Sequence, residues 1–354
     1  MPDPQPIDVL LVSPGTTAGW RRADGELAAI LAELGVDAVT CTSDYGIARH
    51  FRRSVLTTDL AEAAAMRHAT TRAIERQRPR AIIYSSPQAA MLQPRSRLEN
   101  AAIRFDLPAA VNRQGFGSGL LHALERGAVR QARVLLPWGL EAGRDTLDLA
   151  GGQPVVPLPI SIDAPARNRP DRDPIALMYA GNPEKKGLDI VVEAWSRGAP
   201  DRWRLVVTGV DADEGRSFLK KRGVENRGDV EWAGALEPDR YLELLGRASL
   251  FLSASRYEDY GLAQLEALAQ GALLVTCPSE GRFEALEIQR ELDPRLVAPD
   301  CSPDALARAL SVALSLSTEE RLSLQKRARM HLRPHARDEV KRRLQEQVLP
   351  LLLP

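Results

Sequence analysis

The chain has 354 residues, with 47 Lys plus Arg balanced by 47 Asp plus Glu, so its formal net charge is zero. A general nucleic-acid binder carries a basic excess to neutralise phosphates, and this balance argues against one. The composition, 44% hydrophobic and 27% charged, is that of a soluble globular chain long enough for two cores, and no apolar run approaches the roughly 20 residues of a membrane span.

The N-terminus, Met1 to Ile7, is polar and proline-rich, without a signal-peptide pattern. Ile7-Asp8-Val9-Leu10-Leu11-Val12 is an apolar run ended by Ser13-Pro14-Gly15, which predicts a buried parallel strand entering a loop. A helix is expected from Arg22 to Leu34, stopped by Gly35, and then a strand from Val36 to Cys41. The basic cluster Arg49-His50-Phe51-Arg52-Arg53 predicts either peripheral contact with anionic lipid or an anionic acceptor, or a plainly solvated surface. A long helix fits Asp59 to Arg76, capped by Asp59 or the threonines before it. Strands follow at Ala81–Tyr84, Ala109–Val111 and Val134–Leu136. Gly115-Phe116-Gly117-Ser118-Gly119 matches neither a dinucleotide fingerprint nor a hydrolase elbow, because Gly117 holds its centre; it reads as a flexible loop.

A polar, proline-containing stretch from Asp163 to Pro174 predicts a linker. The pattern then restarts, with strands at Ile175–Tyr179, Arg204–Thr208, Val230–Trp232, Leu250–Leu252 and Leu273–Val275. Helices are expected at Leu188–Trp195, Tyr241–Leu245, Gly261–Gln270, Pro303–Leu314 and Thr318–Met330, and an amphipathic one from Arg337 to Leu353. Alternating strands and helices imply parallel sheets covered on both faces, with ligands at the carboxyl ends of the strands. The organisation expected is an N-terminal domain at 1–163, a linker at 164–174, a second domain at 175–334, and a C-terminal helix at 335–354 able to pack back on the first domain. Cys41, Cys277 and Cys301 are far apart and odd in number, which predicts neither a disulfide framework nor a zinc site. A reducing cytoplasm is the simplest home.

The most informative stretch runs from Ser253 to Gly271. A strand enters a loop holding Glu258, and a helix opens at Gly261, where the backbone can approach a ligand. Free amides in the first turn make an anion site, suited to a diphosphate. Glu266, further along that helix, can accept hydrogen bonds from a vicinal diol. Glu258, seven residues, Glu266, set in Glu-x-x-Gly-Leu-x-x-Leu-Glu-Ala-x-Ala-x-Gly, resembles the family 4 retaining glycosyltransferases (glycosyl transferases group 1).

That resemblance implies an α/β fold of the GT-B type, two Rossmann-like doubly wound domains with an interdomain cleft. It places Glu258 near the transferred sugar, Glu266 on the ribose, and the Gly261-Leu262 amides, with Tyr260 beside them, on the diphosphate. Lys186 corresponds to the phosphate-binding cation, with Gly181 before it. At Asn182 the family's usual arginine is absent, and Lys185 is a candidate replacement. Gly209 matches a strand-end glycine, and Gly234-Ala235-Leu236 matches the loop around the base. Gly15 lies in the loop that reaches the diphosphate and the acceptor. The histidine that many members place after the strand Ala109–Val111 is missing; Asn112-Arg113-Gln114 stands there. Only one glycine is kept in the usual glycine-glycine-x-x-Glu region, now Ser279 to Glu284.

The expected activity is transfer of a sugar from a nucleoside diphosphate sugar to a hydroxyl acceptor, a glycan, lipid or small molecule, with retention. Glu258 and Lys186 carry the chemistry, and no cofactor or metal is expected. The alternatives are a non-catalytic nucleotide-sugar-binding protein and a phosphorylase or epimerase on the same fold.

Overall fold

Two compact units make up the chain: Met1–Ser161 together with Arg337–Pro354, and Ile162–Ala336. The computed structural model describes residues 6–15, 18–43, 55–106, 118–139, 149–162, 164, 172–225, 230–281 and 283–354. The expected strand at 109–111, Asn112 and Arg113, Gly115 to Gly117, the cluster Arg49, Arg52 and Arg53, and most of the expected linker lie outside the described residues.

In the first unit, strands Val9–Ser13 (β1), Ala38–Thr42 (β2), Ala81–Tyr84 (β3), Ala101–Phe105 (β4) and Val134–Pro137 (β5) form a parallel sheet in the order β2-β1-β3-β4-β5. Alternation along β1 explains its unbroken apolar run. Leu10 and Val12 face Met66 of helix Val55–Gln77 and Ala128 and Val129 of helix Ser118–Gln131. Val9 and Leu11 face Leu27, Ile30 and Leu31 of helix Ala18–Glu33. With a period of two and helices on both sides, each residue from Val9 to Val12 meets an apolar layer and is itself apolar.

The last segment completes that second face. Val340, Leu344, Val348 and Leu352, four residues apart, join the cluster of Val9 and Leu11. On a helix of 3.6 residues per turn a strict four-residue spacing drifts around the axis. A π-helical turn over Leu344–Val348, between helices Arg337–Arg343 and Leu349–Leu352, counters the drift. Glu33 accepts from Arg337 at 2.7 Å and from Lys341 at 3.0 Å, holding the start of the segment on the same helix.

Two expectations are corrected here. The helix expected at Asp59 begins at Val55, so Asp59 lies inside it and is no cap; its carboxylate accepts from Gln88 at 3.1 Å. Strand β4 has no counterpart among the expected elements, because Arg104 interrupts its apolar pattern. Arg104 is 2% exposed, pairs with Asp24 at 3.4 Å and lies 5.1 Å from the Trp138 ring. Asp24 also accepts from Ser13 and, at 2.7 Å, from Ser85, so the buried charge is compensated.

In the second unit, Asp173–Tyr179 (β6), Arg204–Thr208 (β7), Val230–Gly234 (β8), Ala248–Ser253 (β9) and Leu273–Thr276 (β10) form a parallel sheet in the order β10-β9-β6-β7-β8. The helices are Pro183–Lys186 (α1), Leu188–Gly198 (α2), Ala212–Arg222 (α3), Pro238–Arg247 (α4), Leu262–Gln270 (α5), Glu284–Leu292 (α6), Pro303–Ser315 (α7) and Thr318–His331 (α8). The chain leaves β6 toward β7 on one side and returns to β9 on the other. The β6/β9 boundary is therefore the topological switch point, where the connections diverge and leave a crevice at the carboxyl ends.

The expectation of unpaired cysteines fails in this unit. Cys277 and Cys301 form a disulfide, with Cα atoms 5.3 Å apart. After β10 the chain runs through α6 and comes back beside the strand, where Ala298 donates its amide to the Thr276 carbonyl at 2.7 Å. Residues 24 apart in sequence are thus neighbours, which no local spacing reveals. A closed loop of that length contributes about 3 kcal/mol. In a unit of this size, Cys301→Ser should lower Tm by about 6–12 °C in oxidised protein. It should leave fully reduced protein unchanged; equal melting of oxidised wild type and variant would refute the contribution. Among the described residues no helix is long and apolar enough to cross a membrane.

Candidate active site

The switch point of the second unit is closed by two turns. β6 ends at Tyr179, and Asn182 caps the short helix α1 by accepting from the Lys185 amide at 2.9 Å. Pro183 starts that helix and Gly187 stops it with φ 67°. A Cβ at Gly187 would lie 2.0 Å from the Ala254 carbonyl oxygen, so this turn is pressed against the end of β9. The pressing brings Lys186 to Glu258 across the crevice, with Nζ donating to Oε2 at 2.5 Å.

Glu258 is 7% exposed, and its partners converge on one oxygen. Besides Lys186, Oε2 accepts from Ser255 Oγ at 3.0 Å and from Gln264 Nε2 at 3.0 Å. Gln264 is itself held by Ser253 Oγ at 2.9 Å. Burial pushes the Glu258 carboxyl up, but the Lys186 charge and the three hydrogen bonds outweigh it, and the group lies below its ordinary value. The result is a fixed, ionised carboxylate whose Oε1 is free of these contacts.

The loop carrying Glu258 is clamped from two sides. Arg256 grips Asp189 of α2 bidentately, at 2.6 and 3.0 Å, and donates to the Glu184 carbonyl at 2.8 Å. From the other side, Glu280 donates its amide to the Arg256 carbonyl at 3.1 Å, and Gly281 sits where a Cβ would come within 1.9 Å of the Glu258 carbonyl oxygen. Such a loop is held in place before any ligand arrives.

Gly261 caps α5 in the left-handed region, φ 77°, and brings no side chain to the first turn. A Cβ there would meet the Phe283 ring at 2.8 Å. The amides of Leu262, Ala263 and Gln264 thus open the helix without a capping side chain and carry its positive end. Glu266, further along α5, is 4% exposed.

The other residues expected at a donor site divide. Gly181 and Gly209 lie under the Tyr179 ring: a Cβ at Gly181 would be 2.4 Å from the phenol oxygen, and one at Gly209 would be 2.8 Å from the ring. Their smallness therefore serves a neighbour within the chain. Gly209 donates to the Gly234 carbonyl at 2.7 Å, and beyond it Ala235 is exposed and Leu236 half-buried. Lys185 does not join Lys186; it stands 4.8 Å from the Tyr257 ring and 3.8 Å from Asp259. The hydroxyl of Tyr260 pairs with buried His335 at 3.2 Å, inside the unit. Gly15 belongs to the first unit, at the end of β1, where its carbonyl accepts from Arg21 at 3.0 Å. Ser255, Gln264 and Tyr179 are absent from the expected set. Only the Ser-x-Ser before Glu258 hints at one of them in the sequence.

A half-buried cation and a buried carboxylate thus sit beside the open end of a helix at a switch point. Such a place can hold an anion and accept hydrogen bonds from a polyol. Residues 160–331 match the family described as glycosyl transferases group 1. The match covers a little under half of the chain. Glycogen synthase of Geotalea daltonii is 27% identical over 150 residues, covering 42% of this chain and 31% of that protein. The chain spans about a quarter to a half of the length of the curated relatives it matches. Sucrose-phosphate synthase of Thermosynechococcus elongatus superposes with a TM-score of 0.72 at 14% identity, over 98% of this chain and 99% of that one. HepE of Anabaena, solved with UDP and glucose, gives 0.67 at 12% identity over 97% and 99%. These likenesses show the GT-B fold. The group 1 segment contains every residue of the switch-point site, from Tyr179 to Glu266.

Proposed function

We propose that the chain is a retaining glycosyltransferase that moves a sugar from a nucleoside diphosphate sugar to a hydroxyl acceptor. One observation carries this reading: the Lys186–Glu258 pair spans the switch point beside the uncapped amino end of α5. The diphosphate rests on the first-turn amides of α5, and Lys186 neutralises charge on the leaving group. Glu258 Oε1 accepts a hydroxyl of the donor sugar, and Glu266 takes the ribose. Gly234, Ala235 and Leu236 line the base, and the first unit, with Gly15, takes the acceptor. The crystal of HepE with UDP and glucose supports a donor of this chemical class. Phosphate charge is met here by Lys186 and helix amides, so the reaction is proposed to run without a metal.

A thermal-shift panel of UDP-, GDP-, ADP- and TDP-glucose tests the donor. A matching ligand at 100 times its Kd stabilises by about 2.7 kcal/mol. Turnover is then read as nucleoside diphosphate release with acceptor sugars and alcohols, and the anomeric configuration of the product by NMR. A shift with no member of the panel would sink the reading. Tight binding with no release against any acceptor would leave a nucleotide-sugar-binding protein instead.

A further inference from the structure

Tyr179 is the last residue of β6, the central strand at the switch point. Its ring lies across Gly181 and Gly209, and it meets the Tyr241 ring edge-on, centroids 6.3 Å apart. That setting fixes the ring, because neither glycine position leaves space for it to be displaced inward. The phenol oxygen is over Gly181, the residue that opens the turn to Lys186. Among the described residues no hydrogen bond engages this hydroxyl, although Ser253, Ser255, Lys186 and Gln264 beside the same crevice are all committed. Burial pushes the phenol above its ordinary value, and the charges of Glu258 and Glu266 push it the same way, so it stays a neutral donor that feels both carboxylates.

We infer that Tyr179 is a donor-binding residue whose hydroxyl donates a hydrogen bond to the diphosphate of the bound nucleotide. This rests on the function proposed above and adds a contact to it. The half-buried phenol stays protonated, so its hydroxyl can offer a bound ligand one hydrogen bond. The part of the ligand that offers only acceptor oxygens is the diphosphate, which the adjoining helix terminus also favours. Lys186 is shared with Glu258, so a second, uncharged donor at the end of β6 fixes the phosphates without adding a charge.

The test is Tyr179→Phe, which keeps the ring over both glycines and removes only the oxygen. Affinities for UDP, GDP and ADP, and for the matching nucleoside alone, are measured by calorimetry on wild type and variant. A hydrogen bond to a charged group corresponds to about tenfold or more in Kd. The expected result is a loss of that size for the nucleoside diphosphate, an unchanged Kd for the nucleoside, and an unchanged Tm. Equal diphosphate affinity in the two proteins, or a parallel loss for nucleoside and diphosphate, overturns the assignment. If wild type binds none of the three nucleotides, the proposed function itself fails, which is a separate outcome.

Discussion

Lys186→Ala should lower donor turnover by about 100- to 1,000-fold, as removal of a preorganised donor at developing charge does elsewhere. It should also weaken the fold. Glu258 is 7% exposed and its side chain lies 2.5 Å from Lys186, whose own side chain is 17% exposed. Removing one member of such a pair leaves an uncompensated charge in the interior, typically about 3–5 kcal/mol. The double variant Lys186→Ala, Glu258→Gln separates the two effects. It deletes the orphaned charge and keeps a side chain of the same shape, so stability should recover while turnover stays lost. If the double variant is no more stable than the single one, the pair is not what the site depends on.

The same pair sets a pH dependence. The Glu258 carboxyl lies below its ordinary value of 4.5 in the folded chain. A depressed carboxylate contributes stability that is present above its unfolded value and lost as pH falls through its folded one. Wild type should therefore keep this contribution down to about pH 4 and lose it below. In Lys186→Ala burial acts with less opposition, so the folded carboxyl moves up toward or past its unfolded value, and the acid loss from this group should shrink or turn into a gain as pH falls. Acid titration of the melting temperature in both proteins checks the direction.

Gly187→Ala is the second large effect. The position has φ 67°, and the added Cβ would lie 2.0 Å from the Ala254 carbonyl oxygen and 2.9 Å from its carbon. Left-handed strain and a backbone clash act together, for about 3 kcal/mol or more. The backbone of β9 cannot rotate away as a flexible side chain would, because Leu250 to Ser253 are paired with β10. Relief must come from moving α1, which carries Lys186 away from Glu258. We expect a drop in Tm of about 6–12 °C together with loss of nucleotide binding. A variant that melts like wild type would show that the turn is not pressed against the strand.

Much of this architecture is legible in the sequence because its strands are buried on both faces. Runs such as Val9 to Val12 and Ala176 to Met178 are short, and both are buried strands here. Glu258, Gly261 and Glu266 can be read because a strand, a loop and a helix must follow in that order. What stays hidden depends on partners far away in sequence. Arg104 disguises a central strand, and only Asp24 and Trp138 explain it. The Cys277–Cys301 bond needs the return of the chain beside β10. Helix Ala212–Arg222 is largely polar and shows little apolar period. Gln264 occupies a buried helix position where an apolar residue would be expected, and its meaning appears only with Glu258 at 3.0 Å.

The first unit is not continuous in sequence, since Arg337–Pro354 belongs to it while Ile162–Ala336 stands between. On the ribosome, the sheet of Val9 to Val12 is synthesised early yet must wait for Val340, Leu344, Val348 and Leu352 to cover one of its faces. The contiguous second unit can finish folding while its predecessor is still open, reversing the usual order of synthesis and completion. An N-terminal fragment ending at Ser161 would expose that apolar face, so a chaperone-dependent, aggregation-prone product is the expected fate of premature release.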